Sequence, residues 1–174
     1  MNGSTSAAAV ANYFLAKGWD EKGIPPIDQM KLQKLLYYSH AWHLAIFNRP
    51  LFEEYFEAWP WGPVVRDVYF QTRDFGRNPV TRKITRLVIG DGQNVLNAKF
   101  ERPNVDDIET KCFLDAVWNV HKDYSGIQLS NATHAEGEPW TIVRNKYENL
   151  EHKPTIPNEL IAAVFEKKRQ NVTD

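Results

Sequence analysis

Between Met30 and Phe47 the chain reads MKLQKLLYYSHAWHLAIF, and this run limits the possible folds more than any other stretch. On a helix, Leu32, Leu35, Leu36, Ile46 and Phe47 share one face at three- and four-residue spacing, with Trp42 at its edge. Tyr37, Tyr38, Ala41, Leu44 and Ala45 cover most of the opposite side. A helix that is apolar nearly all round must be enclosed by other elements, so the sequence predicts a central, buried helix. Its first turns, with Lys31, Gln33 and Lys34, carry the polar groups it offers to solvent or to a site.

The flanking segments read as pieces that pack on this helix. Ser4 or Thr5 caps a first helix from Ser6 to Lys17, with Val10, Tyr13 and Phe14 inward and Gly18 as its stop. Asp28 is the expected N-cap of the central helix, and Asn48 to Pro50 end it. Leu51 to Trp59 alternates imperfectly and reads as one short strand or extended segment. Pro60 and Gly62-Pro63 force a turn; Pro63 suits the first position of a helix that carries Val64, Val65, Val68 and Tyr69 and stops at Gly76. In KITRLVIGDGQNVLNAKF an Asp-Gly between two apolar runs signals a hairpin, with an irregular loop as the alternative. A helix from about Val105 has Phe113, Ala116, Val117 and Val120 as its core stripe, and Cys112 is expected as a small buried hydrophobe. A short helix over Ile127 to Ala132 follows. Pro139 then starts one carrying Trp140, Val143 and Tyr147, and Pro157 opens a last amphipathic helix with Leu160, Ile161, Val164 and Phe165. The expected fold is mainly α: one compact helical domain over 1–174 around the buried central helix, with a minor β-hairpin or extended segments.

Composition narrows the function. A formal net charge of −1 argues against general binding to a phosphate backbone; TRKITR at 81–86 is the best local basic patch. The single Cys112 excludes an intramolecular disulfide and gives no zinc-knuckle spacing. No apolar run reaches membrane-spanning length, and the N-terminus has no basic segment followed by an apolar core. A cytoplasmic protein is expected, without membrane contact.

Candidate chemistry is sparse. His40 and His43, three apart on a helix, are close enough to share a metal, but a hydrogen-bonded core histidine is the commoner outcome in such a stripe. His134 and Glu136 resemble an acid–base or ligand pair, against a simpler reading as the turn and cap before the Pro139 helix. No nucleophile-elbow, phosphate-loop, dinucleotide or zinc-protease motif occurs. Neither catalytic residues nor a metal or other cofactor are expected. Trp59 and Trp61, flanking Pro60 in a turn, are the strongest binding candidates, because exposed aromatic anchors commonly dominate interfaces; packing on the central helix is the alternative.

The string MKLQKLLYYSHAWHLAIFNRPLFEEYFEAWPWGPVVRDVY resembles the signature of the Panacea domain, the SocA-like or phage-associated GepA-like family, and LSNATHAEGEPW at 129–140 continues the likeness. Residues 77–104 match nothing in it and read as a variable insertion. The resemblance implies a helical fold, a bacterial or prophage origin and an antitoxin that binds and neutralises a protein toxin, in some relatives as an adaptor to a protease. It singles out Lys31, Gln33, Lys34, Trp59, His134, Glu136 and Trp140, joined on physical grounds by Trp61, as partner-binding candidates, and Gly62 and Pro63 as structural ones. The alternatives are a hydrolase using His134 with Glu136, and an autoregulator that binds nucleic acid, which the charge disfavours. The oligomeric state stays open.

Overall fold

The computed structural model describes residues 5–89 and 98–173. Helix α1 (Ala7–Asp20) is capped by Ser6, whose hydroxyl accepts from the Ala9 N–H at 3.2 Å. It runs past Gly18, where the sequence predicts a stop. Gly18 instead leaves a gap that Ile27 fills: a Cβ there would lie 2.5 Å from Ile27 Cδ1.

Helix α2 (Gln29–Phe47) is the axis of the molecule. Asp28 caps it, accepting from the Lys31 N–H at 2.7 Å, and Asn48 ends it in the left-handed region at φ 52°. Leu32, Leu35, Leu36, Tyr37, His40 and Ala41 are fully buried. The enclosing elements cover α2 only as far as Ala45. Ile46 and Phe47, expected in the buried stripe, therefore lie 46 % and 47 % exposed on the last turn. His43 is a buried core histidine whose Nδ1 pairs with the Arg49 carbonyl at 2.8 Å, and His40 Nε2 pairs with Asn158 Oδ1 at 3.0 Å.

Strands β1 (Phe56–Trp59) and β2 (Gly62–Val64) form an antiparallel hairpin. Pro63 sits in β2 rather than at a helix start; β2 is an edge strand, where a missing N–H costs little. Helix α3 (Arg66–Thr72) begins only after Val65, and a 3₁₀ turn over Arg73–Phe75 leads to Gly76 at φ 57°. Strands β3 (Arg86–Ile89) and β4 (Ala98–Glu101) pair antiparallel from Arg86↔Glu101 to Ile89↔Ala98, as the hairpin signal predicts. The Asp91-Gly92 turn itself lies outside the described residues.

Helix α4 (Ile108–His121) is capped by Asp107. Its buried residues are Leu114, Val117, Trp118 and His121. The predicted stripe is therefore rotated: Val120 is 65 % exposed, Phe113 is half-buried, and Ala116 and Cys112 face outward. Trp118 decides the rotation, stacking on Phe14 at 6.0 Å and donating its Nε1–H to Glu21 at 2.8 Å. Helix α5 (Gly126–Thr133) starts in a capping box of Ser125 and Gln128. Helix α6 (Pro139–Arg144) has its proline in the first turn; Tyr147 lies beyond its end and is exposed. Strand β5 (Thr155–Ile156) adds to β1, giving the order β2-β1-β5. Helix α7 (Asn158–Thr173) lies along α2 and buries Ile161 and Phe165, the latter 6.0 Å from Tyr37 ring to ring. The result is mainly helical with small antiparallel sheets, built around α2. No described helix is long and apolar enough to cross a membrane.

Candidate partner-binding surface

The last pair of the β1–β2 hairpin is Trp59↔Gly62, so Pro60 and Trp61 form its tip. Gly62 has φ +101°, a region that side chains avoid. A Cβ there would also meet Thr133 Oγ1 at 2.7 Å and Lys34 Nζ at 2.8 Å. The hairpin thus presses its backbone onto side chains of α2 and α5.

Those side chains bind the main chain of the hairpin at alternate residues. Trp140 Nε1–H donates to the Trp59 carbonyl at 2.8 Å, and the Ser130 hydroxyl to that of Trp61 at 2.8 Å. Lys34 Nζ donates to the Pro63 carbonyl at 3.0 Å. Gln33 closes a two-way pair with Val65, donating at 3.3 Å and accepting from its N–H at 2.8 Å. Helices α2, α5 and α6, which carry both signature blocks, therefore converge on one strand–turn–strand. The Trp61 ring is left 70 % exposed on that fixed backbone.

Lys31, Gln33 and Lys34, expected to offer polar groups outward, are buried in this frame. The aliphatic stems fill core space, and the polar ends reach backbone carbonyls. Lys31 Nζ donates to the carbonyls of Pro25 at 2.9 Å and Lys122 at 2.6 Å. Burial pushes the Lys31 ammonium down to about 8, against the pull of Asp28, Asp123 and Glu21. Lys34 has no acid to oppose desolvation and is pushed down to about 7.

His134 ends α5 with its ring stacked on Trp140, centroids 3.9 Å apart at 22°. Its Nε2 is buried with no hydrogen-bond partner among the described residues, and burial together with Lys34 holds its pKa below the usual value. Glu136 is exposed, and among the described residues no hydrogen bond joins it to His134. The two do not form an acid–base pair. Trp140 is buried and holds the hairpin.

Trp59 is half-buried. Its Nε1–H donates to Glu57 Oε2 at 2.8 Å, and Glu57 Oε1 accepts from Arg66 at 2.9 Å. Ser130 and Thr133 are site residues that sequence reasoning missed. Ser130 and Thr133 were legible as small polar residues three apart on the inner side of a short helix. Glu57, with Glu53 and Glu54, reads in the sequence as an acid facing a basic partner or, more simply, as part of a solvated edge. It is instead buried between Trp59 and Arg66.

The family described as "Antitoxin SocA-like, Panacea domain" matches residues 32–141, which run from α2 through the hairpin to α6. "Antitoxin SocA" of Caulobacter vibrioides (strain NA1000 / CB15N) is 35 % identical over 142 residues, covering 82 % of this chain and 72 % of that protein. No solved structure matches the chain.

Proposed function

The chain belongs to the SocA-like antitoxin family with the Panacea domain, and from that premise we propose that it binds and neutralises a protein toxin through the Trp61 tip of the β1–β2 hairpin. One contrast supports this reading. The backbone at the tip is bound by Trp140, Ser130, Lys34 and Gln33, while the ring it carries points into water. A large apolar side chain on a preorganised backbone loses little conformational freedom on binding and gains a full ring of buried area.

In this reading the signature divides by role. Gln33, Lys34, Gly62, Pro63, His134 and Trp140 build the frame, and Lys31 ties α2 to the Lys122 turn. Trp61 makes the contact, with Trp59 beside it and Glu136 on the exposed α5–α6 turn. Neutralisation is stoichiometric binding rather than turnover, and the whole chain acts as one domain, with 77–104 as a variable insertion.

The test uses the protein encoded by the neighbouring reading frame as the toxin. Trp61→Ala should weaken calorimetric affinity by about 2 kcal/mol, roughly thirtyfold, with an unchanged thermal melt. A folded Trp61→Ala variant that binds and neutralises as well as the wild type would remove the tip from the interface.

A further inference from the structure

A row of rings leads away from the tip. Trp59 lies 4.6 Å from Tyr69, and Tyr69 lies 5.6 Å from Phe70. Cations flank the row: Lys153 Nζ stands 4.2 Å from the Trp59 ring centre, and the Arg73 guanidinium 5.3 Å from that of Phe70. Phe70 and Arg73 then line a cleft of about 350 Å³ that also holds Arg82 and Lys83, from the basic TRKITR segment.

The charge on this surface is lopsided. Asp74 is taken up by a bidentate pair with Arg82, at 2.9 and 3.1 Å, and Glu57 by Arg66. Among the described residues Arg73, Lys83 and Lys153 form no close ion pair, although Arg73 also acts on Asp74, and Asp67 is a further acid at the start of α3. On a chain of net charge −1 this is a local surplus with a direction, running from the hairpin to the cleft.

We infer that an acidic segment of the toxin lies along Trp59, Tyr69 and Phe70 and ends in the cleft beside Arg73 and Lys83, an inference that rests on the antitoxin reading above. Carboxylates meet Arg and Lys edge-on through charge-assisted hydrogen bonds, and the rings beneath give apolar contact to the intervening side chains. Single-stranded nucleic acid, the other polyanion such a row could attract, needs open ring faces for base stacking. Here Lys153 lies over the Trp59 ring, Tyr69 tilts against it at 50°, and Tyr69 meets Phe70 edge-on at 76°. Lys153 and Arg73 therefore compete with a base for the Trp59 and Phe70 rings, which disfavours stacking.

The experiment measures calorimetric affinity for the neighbouring-frame protein at about 0.05 M and about 0.5 M salt, which moves the screening length from well above to below typical charge spacings at an interface. Wild type should bind more weakly at high salt. Arg73→Glu/Lys83→Glu should lose at least about tenfold in affinity at low salt and most of the salt dependence, as charge reversal at a complementary surface does. Trp61→Ala should lose affinity equally at both salt levels. Lys153→Glu, on a separate segment, repeats the test if the double variant melts early. Unchanged affinity and salt slope in the folded charge variants, with Trp61→Ala still weakened, would overturn this inference and leave the antitoxin reading standing. Absence of any complex with wild type would instead strike that reading itself. Fluorescence anisotropy with a labelled oligothymidine completes the set: binding that Arg73→Glu/Lys83→Glu abolishes would replace the acidic segment by nucleic acid.

Discussion

At residue 62 two constraints meet that act independently. The backbone stands at φ +101°, and the space where a side chain would begin is occupied by Thr133 Oγ1 and Lys34 Nζ. Gly23 has φ +82° but nothing within reach of a Cβ. Comparing the two separates strain from collision. Gly23→Ala should cost about 1 kcal/mol, the usual cost of an alanine in that region. Gly62→Ala should cost about 3 kcal/mol or more, because it also displaces a buried amine from its carbonyl. Urea denaturation of both variants checks this; equal losses would mean that Lys34 yields without cost. The turn at Gly62-Pro63 was readable in the sequence, since both residues punctuate a chain. The lysine beneath it was not. Local spacing gives the helix face of Lys34, but it says nothing about which distant backbone that face will meet.

Among the elements, α2 was the most legible and β2 the least. An all-round apolar helix has one solution, enclosure, and among the described residues α1, α3, α4, α5, α7 and β2 pack on α2. Where the enclosure stops is a tertiary matter, and it stops before Ile46. Leu35→Asp places an unpaired charge at a fully buried position and should unfold the domain or leave it insoluble. Ile46→Asp, at a position 46 % exposed, should cost about 1 kcal/mol or less. Circular dichroism and melting temperatures of the pair test the boundary of the core, and similar damage from both would mean that the last turn of α2 is covered. In α4, Val120 and Ala116 look like core by residue type, yet the much larger apolar area of Trp118 sets the rotation of the helix. Strand β2 escaped because three residues that include a proline carry no strand signal. It is a strand only because β1 lies beside it and helices grip its carbonyls.

Across the whole molecule, the buried bases make stability depend on pH in one direction over a wide range. His40 is held down to about 4, and His43, His121 and His134 are lowered as well, each chiefly by burial. Unfolded histidine takes up its proton near 6.5, so between 6.5 and about 4 the unfolded state binds more protons and stability falls as pH falls. Lys34 and Lys31 repeat the pattern higher up. They lose their protons near 7 and 8 in the fold and near 10.5 when unfolded. Between those limits the unfolded chain is again the more protonated, and stability rises with pH by up to about 1.4 kcal/mol per pH unit for each lysine involved. The gain reverses above 10, where unfolded tyrosine ionises; Tyr13, Tyr37 and Tyr38 are raised by burial, so the stability they hold below 10 is lost as pH rises. Stability should therefore climb from about pH 5 to a maximum at about pH 10, which lies on the alkaline side of the usual near-neutral optimum. Urea midpoints across that range measure the curve. Lys34→Met keeps the stem and removes the titrating group, so it should reduce the rise above 7 to what Lys31 contributes, and it should ease the fall below 6.5 because Lys34 also holds His134 down. A wild-type curve that is level from 7 to 9, or a Lys34→Met curve that parallels it, would mean that Lys34 stays charged where it is buried.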